Sequence, residues 1–257
     1  MTIGSLTDKA SAVSLGGGSA EALANVGLQA TAALKAGGPI DVEALASDQG
    51  RGNAAASALL NVHGSQGFPT GSIQLGALTD KAGAYVTGGA ARSLADVTVE
   101  TPGLIRIAGP VDVSAGADNA GKGPAASVAA SANADLTLSA GAMAGQQGLL
   151  AGDITLIARG TNSGSGGVKS QGRVNAQGHS GLGLSDVLIG ATALNAGKKG
   201  TKGAVADASL DAVGFGGALT LNSANSRLWP TARGPAAPMR AAARRGAWPM
   251  SRSRPRA

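Results

Sequence analysis

There is no cysteine in the 257 residues, so a disulfide framework and a cysteine-ligated zinc site are both excluded. Aromatic residues are almost as scarce at 2%: Phe68, Tyr85 and Phe215 stand alone ahead of two tryptophans near the end. A chain so poor in rings cannot fill a conventional thick core. Charged residues reach only 14%, and no stretch approaches the roughly 20 apolar residues that would span a bilayer. The opening Met1-Thr2-Ile3-Gly4-Ser5 lacks a basic segment followed by an apolar run, so it does not read as a secretory signal. Export information is expected to lie outside this chain.

What is present in excess is glycine, at 42 residues, and positive charge, at a formal +6 with an isoelectric point near 10.1. That charge is badly uneven. Residues 226–257 hold eight arginines (Arg227, Arg233, Arg240, Arg244, Arg245, Arg252, Arg254 and Arg256) and no acid, which leaves residues 1–225 with 13 basic against 15 acidic side chains. The body is therefore slightly acidic, and nucleic acid is not its expected partner. The tail also carries both tryptophans and five of the ten prolines.

Comparison of the sequence with itself gives the strongest signal, because similarity at a fixed period marks a stacked architecture. Gly4-Ser5-Leu6-Thr7-Asp8-Lys9-Ala10 returns as Gly76-Ala77-Leu78-Thr79-Asp80-Lys81-Ala82, a separation of 72 residues. Leu23-Ala24-Asn25-Val26 matches Leu94-Ala95-Asp96-Val97, and Gly38-Pro39-Ile40-Asp41-Val42 matches Gly109-Pro110-Val111-Asp112-Val113, both 71 apart. A more divergent third copy is expected from three further matches. These pair Gly71-Ser72-Ile73-Gln74-Leu75 with Gly152-Asp153-Ile154-Thr155-Leu156, Leu94–Val97 with Leu184-Ser185-Asp186-Val187, and Asp135-Leu136-Thr137-Leu138 with Ala218-Leu219-Thr220-Leu221, at separations of 81, 90 and 83. The long units are thus placed at about 4–75, 76–153 and 154–225, with 226–257 as a separate tail.

The recurring element is glycine, any residue, apolar, any residue, apolar. Along a strand alternate side chains share a face, so Ile40 with Val42, Ile73 with Leu75, Val111 with Val113, Ile154 with Leu156 and Leu219 with Leu221 each aim two aliphatic groups one way. Asp41, Gln74, Asp112, Thr155 and Thr220 then face the other way. Flanking glycines and β-branched content favour strand over helix. Stretches such as Gly-Thr-Asn-Ser-Gly-Ser-Gly-Gly at 160–167 read as turns. An all-β, right-handed parallel β-helix of short strands over 1–225 satisfies these features, with small residues filling a narrow interior and coils of roughly 20–45 residues. Disorder, the competing reading for a chain low in charge and rich in Gly, Ala and Ser, does not account for the spaced aliphatic pairs.

No motif earns a catalytic, cofactor-binding or metal-binding assignment, and none is expected. Gly116-Ala117-Asp118-Asn119-Ala120-Gly121-Lys122-Gly123 nearly spells a phosphate-binding loop, but Gly123 stands where a Ser or Thr must ligate magnesium. Asp48-Gln49-Gly50-Arg51-Gly52 occupies the equivalent place in the first unit, which makes the pattern a repeated corner. Gly178-His179-Ser180-Gly181-Leu182-Gly183 resembles a nucleophile elbow with its last glycine one position late. His63 and His179 are the only histidines and read as isolated surface positions. The glycine-aspartate nonapeptide that stacks β-helices on calcium does not occur. Twelve Asp against three Glu fits turn chemistry, in which the short carboxyl bonds to local backbone.

Two readings account for the tail. As a Pro/Arg/Ala arm it could attract phosphate backbones or anionic lipid, making the chain a basic-tailed nucleic-acid or membrane-surface binder. As an out-of-frame translation of GC-rich DNA it would carry no function, and the abrupt end of the repeat near Asn225 favours this reading. Either way residues 226–257 are expected to be disordered.

On Gly38-Pro39-Ile40-Asp41-Val42, the run 109–114, Asp-Leu-Thr-Leu-Ser-Ala at 135–140 and Gly152-Asp153-Ile154-Thr155-Leu156, residues 1–225 resemble the repetitive shafts of filamentous haemagglutinin-like and autotransporter-type bacterial adhesins. The resemblance implies a secreted, surface-displayed, non-enzymatic rod that needs no cofactor. It also implies an outer-membrane transporter as partner of the full-length parent, and contacts with host or abiotic surfaces or with other shaft segments. The family's N-terminal secretion domain and C-terminal membrane barrel are not recognisable in these residues. Because Gly4 is already in register, the chain is expected to be an internal shaft fragment.

Overall fold

The computed structural model describes residues 1–64, 71–121, 128–141, 148–197, 203–221, 227–233 and 239–248, with side chains described through residue 220. The described residues contain strands and turns and no helix. Each coil of chain lays down one short strand and two long ones. The first coil consists of β1 (Thr2–Ile3), β2 (Leu6–Ser14) and β3 (Ala20–Ala30), and the second of β4 (Leu34–Ala36), β5 (Ile40–Asp48) and β6 (Ala54–Gly64). There follow β7 (Ile73–Leu75), β8 (Leu78–Val86) and β9 (Ala91–Thr101), then β10 (Ile105–Ile107), β11 (Val111–Asn119) and β12 (Val128–Ala140). The next coil contains β13 (Leu149–Ala151), β14 (Ile154–Asn162) and β15 (Gly167–Gly178), and the next β16 (Leu182–Leu184), β17 (Val187–Asn195) and β18 (Ala204–Phe215). Last come β19 (Leu219–Leu221), β20 (Arg227–Arg233) and β21 (Met239–Trp248).

Equivalent strands of successive coils pair in parallel, giving three seven-stranded sheets: β1 to β19 in steps of three, β2 to β20, and β3 to β21. The chain is a parallel β-solenoid. At about 4.8 Å per rung, seven rungs make a stack roughly 30 Å long. Within the segment expected to be disordered, backbone strands β20 and β21 extend the second and third sheets by pairing with β17 and β18. Residues 226, 234–238 and 249–257 of that tail lie outside the described residues.

The 72-residue sequence repeat is two coils. Leu6 pairs with Ile40 and Ile40 with Leu78, so one coil takes 34 residues and the next 38. Leu23 likewise lies two rungs from Leu94 through Ser57. The matches at separations of 81, 90 and 83 have a different origin, which corrects the expected third copy. Ile73 lies in the first sheet and Ile154 in the second, and Leu136 lies in the third sheet whereas Leu219 lies in the first. Leu94 and Val97 share one strand of the third sheet, but Leu184 and Val187 fall in two different strands. These segments share only the alternation that any buried strand of this fold must have.

The aliphatic couplets do face inward: Ile40, Val42, Ile73, Leu75, Val111, Val113, Ile154 and Leu156 are all buried, and Leu219 packs against the same core. Asp41, Gln74, Asp112, Thr155 and Thr220 are on the outer faces. In-register stacking turns each inward position into a column. Leu34, Ile73, Ile105, Leu149 and Leu182 form one in the first sheet. Val26, Leu60, Val97, Leu136, Val174 and Leu210 form one in the third. Between them Ala10, Ala44, Ala82, Ala115, Ala158 and Ala191 form an unbroken alanine column in the second. The interior is therefore a wedge. Large side chains fill the side nearest the short sheet, and small ones fill the corner where the two long sheets converge.

Two glycines register how tight that corner is. Gly160 continues a column of Ala117 and Ala193, and a Cβ there would fall 2.6 Å from Val168 Cγ1. Val168 in turn replaces the alanines at 130 and 204 on adjacent rungs. Lost volume on one strand thus matches added volume on its neighbour. Gly172 does the same for Leu156 and Ile189, whose methyls lie 2.7 and 3.1 Å from its ideal Cβ. Gly160→Ala should destabilise the fold by about 1–3 kcal/mol through overpacking. A Cβ at Gly160 also lies 2.8 Å from Ser170 Oγ, so the triple variant Gly160→Ala/Val168→Ala/Ser170→Ala should recover most of that loss in urea unfolding, because it recreates the Ala117, Ala130 and Ala132 arrangement one coil away.

Candidate functional site

The corner between the second and third sheets is closed by a buried column of Asp48, Val86, Asn119, Asn162 and Asn195, polar at every rung but that of Val86; the four polar members share one bonding pattern. Each accepts a hydrogen bond from the backbone N–H two residues on, at Gly50 (2.7 Å), Gly121 (3.1 Å), Gly164 (3.0 Å) and Gly197 (3.2 Å). The asparagine amides also tie rungs together. Asn162 Nδ2 donates to Asn195 Oδ1 at 3.2 Å, and Asn119 Nδ2 donates to the Gly89 carbonyl at 3.0 Å. Glycine is required here by close approach, since a Cβ on Gly121 would lie 1.1 Å from the Thr87 carbonyl oxygen. The loop that resembles a phosphate cradle is this corner, with its Asn119 engaged in the stack; Lys122 and Gly123 lie outside the described residues.

Asp80 is the one acid whose environment is far from ordinary. The sequence cadence has an apolar residue at this position, and in the stack Asp80 sits inward between Val42 and Val113 with no exposed surface. Neither of its oxygens has a hydrogen-bond partner at normal distance, although the Asp96 amide lies close enough to favour the charged form slightly. Burial pushes the carboxyl up to about 8. Its counterpart Asp8, in the first coil, accepts the Asn25 N–H at 2.9 Å. Burial also raises Asp96 and Asp135, which face each other on adjacent strands of the third sheet. Arg173, one rung beyond Asp135, partly offsets that rise. Asp80 is sealed from substrate, so it bears on stability rather than chemistry.

The opposite end of the third sheet carries a groove of about 610 Å³. Its wall is a column of strand-end side chains, with Gln29, His63, Glu100, Ser139 and Gln177 on five successive rungs. The first four of these line the groove, joined by His179 just past β15. His63 and His179, isolated in the sequence, therefore belong to one site. They stand three rungs apart, roughly 14 Å, which is too far for one metal ion or one proton relay. Among the described residues no three His, Cys, Asp or Glu side chains converge on a common point. His63 Nδ1 and Glu100 Oε2 are 3.8 Å apart with both side chains half exposed, a loose pair worth little in stability.

The groove floor is well ordered by hydrogen bonds. Thr101 is buried; its hydroxyl donates to the Gly71 carbonyl and accepts from the Gly103 N–H at 3.2 Å. The Gly141 N–H is shared between the Thr101 and Gly103 carbonyls, at 2.9 and 3.0 Å. His179 is fixed by its N–H to the Ala140 carbonyl at 3.1 Å and by stacking on Phe215, with ring centroids 4.9 Å apart and planes 20° apart. The segment resembling a nucleophile elbow is a three-residue corner turned at Gly181, whose φ of 113° disfavours any side chain. At this corner the connection takes three residues after β3, β9, β15 and β18 but eight after β6 and β12. Short and long corners alternate from β3 to β15, and Pro102 at the floor lies on a short one between two long ones.

The sequence pointed to none of this, because the groove residues are separated by 34 to 40 positions and only the stack brings them together. The available signal was positional: both histidines adjoin a glycine at a strand end. No protein-family model matches this chain, and no curated protein or solved structure matches it either.

Asp80 gives a measurable pH dependence. It stays protonated in the folded chain up to about pH 8 but ionises near 3.8 when unfolded, so the folded state holds the extra proton between those limits. Stability should fall by about 1.4 kcal/mol per pH unit across that window and level off above it. Urea unfolding at pH 5 and pH 8 should show the loss in the natural chain and much less of it in Asp80→Asn. Asp80→Val, which copies Val42 and Val113, should be the more stable variant at pH 8.

Proposed function

We propose that this chain is a non-enzymatic shaft segment of a repetitive bacterial surface adhesin. The observation that carries the reading is the solenoid itself: one coil repeated along an axis, with a dry aliphatic spine and mostly polar outer faces whose positions line up from rung to rung. Such a rod holds contact surfaces away from the cell and multiplies weak contacts along its length. The cadence of residues 1–225, similar to filamentous haemagglutinin-like shafts, supports the same reading. The absence of cysteine suits a chain that crosses an oxidising periplasm before folding. The groove supports binding over turnover, since among its described lining residues Glu100 is the single carboxylate, whereas glycoside cleavage requires two carboxylates across the bond.

Protease treatment of intact producing cells should remove the antigen, as judged with an antibody to the solenoid, and beads coated with the purified chain should be retained on epithelial or abiotic surfaces. Retention should be lost on thermal unfolding. It should persist when Arg240, Arg244 and Arg245 are changed to Gln. An antigen protected inside intact cells, or retention that disappears with those arginines and with added salt, would instead support the basic-tail reading.

A further inference from the structure

We propose that the groove at the ends of β3, β6, β9 and β12 binds an extended, uncharged oligosaccharide lying along the solenoid axis. The proposal rests on the adhesive reading and names what the shaft would hold. Its volume of about 610 Å³ is that of a small-molecule site, and it is elongated because its walls come from successive rungs. The polar side chains Gln29, His63, Glu100, Ser139 and His179 are an amide, two imidazoles, a carboxylate and a hydroxyl. Together they offer both donors and acceptors, which is what rows of sugar hydroxyls demand. They recur at a rung spacing of about 4.8 Å, close to the advance of one pyranose in an extended chain. Each sugar would therefore meet a polar side chain at the same spacing as the one before it.

Charge selects against other ligands. Among the described residues no Lys or Arg lines the groove, and the one formal charge they bring is the Glu100 carboxylate. Sulfated or phosphorylated chains would be repelled at the centre of the site. An apolar peptide has little to pack against, since the non-polar lining is Pro102, Ala140 and glycine. The buried Thr101 hydroxyl and the shared Gly141 N–H fix the floor, and Phe215 holds the His179 ring, so binding requires little reordering.

The test is calorimetric titration of the full chain with cellohexaose, xylohexaose, chitohexaose and maltohexaose, with each matching disaccharide, and with a heparin hexasaccharide. At least one neutral hexasaccharide should bind, at least about tenfold more tightly than its disaccharide. Glu100→Gln, Ser139→Ala and His179→Ala should each weaken that binding about five- to tenfold with unchanged thermal midpoints, as loss of single hydrogen bonds implies. Thr155→Ala, on the outer face of the second sheet, should leave it intact. Failure of all four hexasaccharides to bind at millimolar concentration, tighter binding of the heparin fragment, or indifference to the groove substitutions would overturn the proposal. Bead retention that survives such a failure would leave the shaft reading standing. Shortened sugar products on chromatography would overturn the non-enzymatic reading while leaving the groove assignment in place.

Discussion

In-register parallel stacking is the constraint on which everything else in this molecule depends. Once each strand lies directly over its equivalent, every inward position becomes a column, and a residue is tolerated only if it fits both its rung and the rungs on either side. The wedge-shaped interior adds a second condition. Leucine and isoleucine fit the side beside the short sheet, and mostly small side chains fit the corner where the long sheets converge. A chain under these conditions has little use for aromatic rings, so the scarcity of Phe, Tyr and Trp follows from the cross-section. Gly160 beside Val168 and Gly172 beside Leu156 show the same rule acting locally, with each added methyl matched by one removed nearby.

Polar groups are handled by the same geometry at two corners with opposite results. Between the second and third sheets, Asp48, Asn119, Asn162 and Asn195 turn inward and spend their hydrogen bonds on their own rung and on neighbouring ones. That corner is closed and structural. Where the third sheet ends, the column from Gln29 to Ser139 turns outward instead, and the groove lies over Pro102 on a three-residue connection set between two eight-residue ones. The sides of a stack are flat sheet faces, so a concave site arises where strands stop. Asp80 belongs to neither corner. It is a carboxyl in an apolar column, and its cost is held down by protonation.

Much of the architecture was legible because burial imposes a period on the residues themselves. Ile40 with Val42 and Val111 with Val113 announce strands, and the 71- and 72-residue matches announce stacking. The same signal misled at the third copy. Ile154 and Ile73 obey one alternation rule in different sheets, and a two-residue couplet holds too little information to say which. Asp80 was hidden by its own repeat, since Asp8 stands in an identical sequence at a half-buried place in the first coil where the Asn25 amide is available.

The sequence by itself determined that the chain forms short strands with one dry face, that they recur by coils, and that small residues line the turns. These are local consequences of side-chain alternation and glycine geometry, readable wherever they occur. Only the tertiary structure decided that the 72-residue unit is two coils, that volumes compensate across the converging sheets, and that His63, Glu100, Ser139 and His179 share a groove. Those facts concern residues many positions apart, and their distances are set by how many residues each corner consumes, a quantity that hydrophobic periodicity does not carry.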